Sequence, residues 1–333
     1  MDWSKGFSAS YYLAVVDPQT WRDISRIEMT GGKVSRLATG LRAAADVTCT
    51  EFEQGKEYWV RIWMTATQGA NSDAVPLFTG IASSASVNMD GNRRVYPVQC
   101  YSVLKPAQDI LLQRGWYAPL QTSADVLIRQ LLAVCPAPLV IDAGTPYLRS
   151  SIVAGNGETY LTMVDRILTA IGWRMVLEGD GTIHVCKKAN MISASFDALE
   201  NDVIEPKVEL TRDWFNCPNV FRAIQEELTA VARDDSEDSF LSTVNRGREI
   251  WMEEDGCDFS DGETIGEYAL RRLKEEQSVA AVVTYNRRFD PNINVTDLVQ
   301  LVYPGQGIEG IYTVSAQDIE LGYGARVSEE VIM

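Results

Sequence analysis

The chain has 333 residues, 46% hydrophobic and 23% charged, which is enough apolar material for a core and enough length for two or three domains. Its formal net charge of -16 argues against a protein that binds nucleic acid by neutralising phosphates. No apolar run approaches the roughly 20 residues of a membrane helix. The opening MDWSKGFSAS lacks the basic-then-apolar order of a secretory signal, so a soluble protein assembled in the cytoplasm, with no stable membrane insertion, is expected.

Residues 1–105 read as β-structure. The runs YYLAVV (11–16), KVSRLA (33–38), ADVTCTEF (45–52), EYWVRIWM (57–64), PLFTGIASSASVNM (76–89) and RRVYPVQCYSVL (93–104) are rich in β-branched and aromatic residues. Turn signals separate them at Asp17-Pro18, Gly31-Gly32, Gly69 to Asp73 and Asp90-Gly91, the last a hairpin signal. Within EYWVRIWM, alternation puts Trp59, Arg61 and Trp63 on one face and Tyr58, Val60, Ile62 and Met64 on the other. Short strands at this spacing predict a small barrel or sandwich.

Residues 106–190 change period. SADVLIRQLLAVC predicts a helix with Leu127, Leu131 and Val134 on one stripe, a capping pair at Thr122 and Asp125, and a stop at Pro136. A second helix follows Gly157, with Leu161, Val164, Leu168 and Ile171 on one face and Gly172 as its C-terminal cap. WRMVLEGDGTIHVCK then predicts a hairpin turning at Gly179-Asp180-Gly181.

Residues 191–333 return to β. The segment NVFRAIQEELTAVARD (219–234) alternates like a strand over its first half, 234–263 reads as a long acidic loop or arm, and Thr264 with Glu267 caps a helix running to about Ser278. SVAAVVTYN, TDLVQLVYPG, GIEGIYTVSAQDI and ARVSEEVIM read as strands of a closing barrel. The fold class is therefore α+β, mainly β: two small β-barrels, at 1–105 and 191–333, flanking an α/β domain at 106–190.

The charge is uneven. Residues 191–280 carry 22 acidic against 9 basic side chains, a balance of -13, so the remainder is near neutral. The surplus fits either a wall along which DNA slides without being held, or a solvated face that docks a basic partner.

No catalytic, cofactor-binding or metal residue is assigned. His184 is the only histidine, and Cys186 two positions on is thin company for a triad or a metal site. No G-x-S-x-G, Walker loop or H-E-x-x-H occurs. The acidic stretch EEDGCDFSDGE (253–263) misses the ligand order of a calcium loop. GNGET (155–159) reads as a turn and helix start rather than a phosphate loop. Cys49, Cys100, Cys135, Cys186, Cys217 and Cys257 form no C-x-x-C pair and are expected to be reduced thiols. Trp59, Trp63, Trp116, Trp173, Trp214 and Trp251 are expected to be core or interface anchors rather than sugar platforms.

Three segments resemble one family. ETYLTMVDRILTAIGWRMVLEGDGTIHV (158–185) looks like the middle domain of bacteriophage tail hub proteins. TDLVQLVYPGQGIEGIYTVSAQDIEL (296–321) resembles their last barrel, and PLFTGIASS (76–84) a strand of their first, although Ile81 follows Gly80 directly here. The resemblance implies a non-enzymatic homotrimer. Two barrels from each subunit make a pseudo-six-fold ring, a symmetry adaptor that joins the tail tube or distal tail protein to the spike or fibre. It also implies a tape-measure protein as partner, passing DNA without specific binding, and a place in the virion. A tail-associated cell-wall hydrolase and a glycan-binding tail module are the rival readings, separable by peptidoglycan release and by glycan affinity without ring formation.

Overall fold

The computed structural model describes residues 1–53, 55–83, 85–91, 93–199, 203–212, 214–225, 227–257, 262–278 and 281–333. The first seven strands are β1 (Ser8–Val16), β2 (Asp23–Leu37), β3 (Ala43–Cys49), β4 (Tyr58–Gln68), β5 (Asn71–Ala82), β6 (Asn88–Asp90) and β7 (Arg93–Ser102). Six of them pair in the order β1-β4-β5-β7-β3-β2, and β2 pairs back with β1, so the sheet closes on itself as a barrel. The alternation of β4 is what fills it: Val60, Ile62 and Met64 point inward and are fully buried. The Asp90-Gly91 hairpin forms between β6 and β7.

Gly31-Gly32 is not a turn. β2 runs through it as a single strand, with a bulge in its pairing to β3 between Met29 and Gly31. A Cβ on Gly32 would stand 2.4 Å from the Asp46 carbonyl oxygen, so the glycine serves close approach of two backbones. Gly80 has the same role on β5, where a Cβ would lie 2.0 Å from the Tyr101 carbonyl oxygen.

The middle section holds α1 (Lys105–Asp109), β8 (Tyr117–Ala118), α2 (Ala124–Leu132), β9 (Leu139–Ile141), β10 (Ile152–Val153), α3 (Tyr160–Ile171), β11 (Trp173–Leu177) and β12 (Ile183–Lys187). β11 and β12 form the expected hairpin, and β9 joins β12 in parallel. α3 packs on β11, α1 and α2, and buries Leu161, Val164, Leu168 and Ile171. Thr159 and Thr162 make its capping box, and Gly172 takes the left-handed conformation (φ 66°) that ends it. The Thr122–Asp125 cap does not form: Thr122 donates to the Pro119 carbonyl, Asp125 pairs with Arg129, and α2 starts after Ser123. α2 stops at Leu132, which leaves Val134 outside the helix and exposed.

The last section contains β13 (Ile192–Asp197), β14 (Ile204–Arg212), β15 (Val220–Gln225), β16 (Leu228–Arg233), α4 (Thr243–Arg246), β17 (Trp251–Asp255), α5 (Ile265–Ser278), β18 (Ala281–Arg288), β19 (Leu298–Tyr303), β20 (Ile308–Glu320) and β21 (Arg326–Ile332). β14-β18-β21-β20-β19-β13 wrap around a core that includes Phe196, Tyr285, Leu301, Tyr303 and Val331. Residues 234–257 of the acidic segment are not a loop or arm, and 258–261 lie outside the described residues. The segment includes α4 and β17, and β17 completes a sheet β16-β15-β17 against which α5 packs. Phe221, Tyr268, Leu273 and Cys257 form the separate core of this small α/β unit. Thr264 and Glu267 cap α5 as expected.

The two β-rich sections are not independent sheets. β20 is long enough for two partners: Ile308–Thr313 pairs with β19, and Ala316–Glu320 pairs with β2 across Lys33–Leu37. One continuous 13-stranded sheet results, but its two halves keep separate cores.

Two stability outcomes follow from this packing. Leu168→Ala empties a buried site in α3 and is expected to cost about 2–5 kcal/mol in urea denaturation, whereas an unchanged midpoint would place the stripe outside the core. Glu329, fully buried, accepts from Arg287 (2.7 Å), Tyr285 Oη (2.6 Å) and Gln317 (3.0 Å). Glu329→Ala leaves the Arg287 cation without its carboxylate and is expected to cost about 3–5 kcal/mol by the same measurement.

Candidate functional site

Four arginines stand at the seams between the three sections. Between the β-rich sections, Arg36 on β2 donates to Asn294 Oδ1 and to the Leu77 carbonyl oxygen, both at 2.8 Å. Burial pulls the Arg36 guanidinium down to about 10, which leaves it cationic at neutral pH. Beside it, Ser35 Oγ donates to Asp318 at 2.6 Å and Lys33 pairs with the same carboxylate at 2.7 Å.

Three more arginines fasten the middle domain. Arg61, on the outward face of β4, pairs with Asp23 at 2.7 Å and donates to Thr79 Oγ1 and to the Asp180 carbonyl oxygen, both at 3.0 Å. Arg42 donates to the Met175 carbonyl oxygen and to Asp165 on α3. Arg174 on β11 reaches the second β-rich section, with Thr296 O at 2.6 Å and Asp297 Oδ1 at 3.2 Å. The Gly179-Asp180-Gly181 turn is therefore a docking tip as well as a hairpin turn. A Cβ on Gly179 would fall 1.9 Å from the Pro76 carbonyl oxygen, and one on Gly181 would meet the Trp21 ring at 2.8 Å. Trp21 Nε1 also donates to the Asp180 carbonyl oxygen at 2.9 Å.

Where the acidic residues gather, arginines meet them. A cleft of about 570 Å³ between α3 and the small α/β unit is lined by Glu158, Asp165, Arg166, Glu254, Tyr268 and Arg272 among others. Glu158 pairs with Arg166 at 3.0 Å, Asp165 with Arg42, and Glu254 with Arg272 at 3.2 Å while it accepts from Tyr268 Oη at 2.6 Å. Carboxylates held this way are poor candidates for a general acid and base that act as a pair. Glu263 of the acidic stretch is bidentate to Arg271, while residues 258–261 lie outside the described residues.

His184 sits on the face of β12 opposite the buried Ile183 and Val185. The structure adds a neighbour that local sequence did not indicate: Asp142, just past β9, whose Oδ1 lies 3.0 Å from His184 Nε2. Cys186 shares that face, and the three donor atoms lie within 4.8 Å of one another. All six cysteines are free and buried. Burial pushes the Cys49 and Cys135 thiols up to about 11 and Cys100 further still. Trp173 is a core residue and Trp59 packs against the middle domain, whereas Trp214 and Trp251 are exposed, Trp214 beside Phe215 and Phe240.

No family model and no curated protein matches the chain. Solved structures do match it. The tail protein from Neisseria meningitidis MC58 is 13% identical with a TM-score of 0.72, covering 97% of this chain and 96% of that one. The 43 kDa tail protein of prophage MuSo2 from Shewanella oneidensis is 13% identical with a TM-score of 0.67, covering 97% and 98%. Prophage tail protein gp18 from Listeria monocytogenes EGD-e is 10% identical with a TM-score of 0.59, covering 97% and 94%. The fold is that of phage tail proteins, the class to which the sequence resemblance pointed.

Gly179→Val tests the docking tip. The added side chain has no room against Pro76 and is expected to cost about 1–3 kcal/mol and to speed amide exchange across residues 173–187. Exchange that matched the native chain would mean the tip is not seated on the first barrel.

Proposed function

We propose that the chain is a structural, non-enzymatic hub of a phage tail tip or baseplate. It acts as a homotrimer whose two β-barrels per subunit form a pseudo-six-fold ring. The observation that carries this reading is the edge-to-edge joint of β2 with β20, which sets two six-stranded β units side by side in one rigid subunit. Three such subunits supply six similar units, the number needed to mate with a six-fold tube, and closed cyclic symmetry gives every subunit the same contacts. The domain boundaries at 1–105, 106–190 and 191–333 belong to the same reading, with the middle domain at the periphery.

Its partners are the tail tube or distal tail protein on one side, the spike or fibre on the other, and the tape-measure protein. DNA passes through the ring without being held. The acidic surplus of residues 191–280 suits a surface beside that channel, because a basic wall would retain DNA by counterion release.

Mass photometry of the purified chain tests the reading. A species at three times the 37.0 kDa chain mass, with six lobes around a central hole in electron-microscope class averages, is the expected result. A chain that stays monomeric at every concentration and releases soluble fragments from peptidoglycan would replace the hub with a wall hydrolase.

A further inference from the structure

We infer that Asp142, His184 and Cys186 form a binding site for a divalent transition-metal ion of the zinc class, on the outer face of the middle domain's sheet. The site stands apart from the tail role and does not rest on it.

The topology brings the three donors together. His184 and Cys186 are alternate residues of β12 and so project from one face. β9 lies parallel to β12, and Asp142 follows its last residue with its amide donating to the Val185 carbonyl at 3.0 Å, which holds the carboxylate in register with the histidine and cysteine. His184 Nε2 and Asp142 Oδ1 are 3.0 Å apart, and no donor pair among the three exceeds 4.8 Å. Ligands around a tetrahedral zinc stand roughly 3.3–3.8 Å from one another, given bond lengths of about 2.0 Å to nitrogen or oxygen and 2.3 Å to sulfur. The set is therefore close to ligating distance.

The other ring nitrogen, His184 Nδ1, lies 3.8 Å from Glu178 Oε1, beyond hydrogen-bond distance, so the contact with Asp142 is what orients the ring toward the other two donors. The donor types select the ion. A thiolate and an imidazole favour zinc-class ions over calcium or magnesium, which take oxygen ligands. Arg174, the cross-strand partner of Cys186, is anchored on Thr296 and Asp297 and so keeps that end of the hairpin in place.

On binding, the Cys186 sulfur exchanges its proton for the metal and the proton passes to solvent, so no redox step is needed. Three protein ligands leave a fourth position for water on the exposed side of His184 and Asp142. The ion would tie the three-residue strand β9 to β12, adding to a backbone pairing that spans three residues.

Cobalt(II) is the probe, titrated into the full-length, untagged, reduced chain. One ion per chain is expected, with a thiolate-to-metal charge-transfer band that zinc displaces. Cys186→Ser should abolish the band, and His184→Ala and Asp142→Asn should each weaken binding by about tenfold or more. His184 and Asp142 are solvent-accessible, so these last two variants report on binding while the fold, checked by melting, is kept. No band at saturating cobalt in the folded native chain, a band that survives Cys186→Ser, or affinity unchanged in both accessible variants would overturn the site.

Discussion

The architecture depends on one pairing, that of Lys33–Leu37 with Ala316–Glu320. Residues nearly 300 positions apart share a ladder, and Lys33, Ser35 and Arg36 add side-chain contacts along it. An exposed edge strand invites pairing with another chain. Here β2 beyond its pairing with β1 and β20 beyond its pairing with β19 are spent on each other. The cost is that the strands at the joint must serve two sheets. β2 achieves this by length and a bulge at Gly31, and β20 by dividing its partners between β19 and β2. Arg36 stands at the centre of the joint, and its buried charge is satisfied by Asn294 on one side and the Leu77 carbonyl on the other. A buried cation tolerates few alternatives, because any rearrangement strips it of partners. The joint therefore has a defined geometry, which apolar packing alone would specify less sharply.

The middle domain is attached by the same means. Its core is apolar and is completed by Trp21, Leu41 and Trp59 of the first section, while Arg42, Arg61 and Arg174 add polar contacts, each donating to carbonyl oxygens as well as to a carboxylate. Carbonyl acceptors belong to the backbone, so these clamps fix main-chain position and depend little on which side chains surround them. Glycines at 179 and 181 let the hairpin tip reach the barrel, and Arg61 and Trp21 close over it.

Local features were legible in the sequence and long-range ones were not. The stripe of α3, its glycine cap and the β11–β12 hairpin follow from periodicities of 3.6 and 2 within a few residues of one another. The inward face of β4 is read in the same way. Gly31-Gly32 misled because a glycine pair marks a turn and a close backbone approach alike, and the neighbour that decides, Asp46, lies on another strand. Residues 234–263 read as a loop because β17 is five residues long, acidic and half exposed. Only its parallel partner β15 makes it a strand. Asp142 lies 42 residues before His184, and nothing in either segment announces the meeting. Arg36, Arg42 and Arg174 carried no signal, since a buried arginine in a strand or loop looks like any exposed one until its carbonyl partners are known.

Sequence identity of 10–13% with tail proteins that share the fold over nearly the full chain follows from this division of labour. A barrel needs alternation, not particular residues, and a helix stripe needs only apolar side chains of about the right volume. What must be specific is confined to a few joints. The acidic unit shows the consequence on the surface. Arg271 and Arg272 pair with Glu275 and Glu276 along α5 and with Glu263 before it, and Arg272 alone reaches the sheet, at Glu254 of β17. Glu227, Glu237, Asp238 and Asp255 remain exposed. The exposed basic side chains there, Lys207, Arg233, Arg248 and Lys274, are outnumbered, since residues 191–280 carry 22 acidic against 9 basic residues, so the field at the surface of this section is negative.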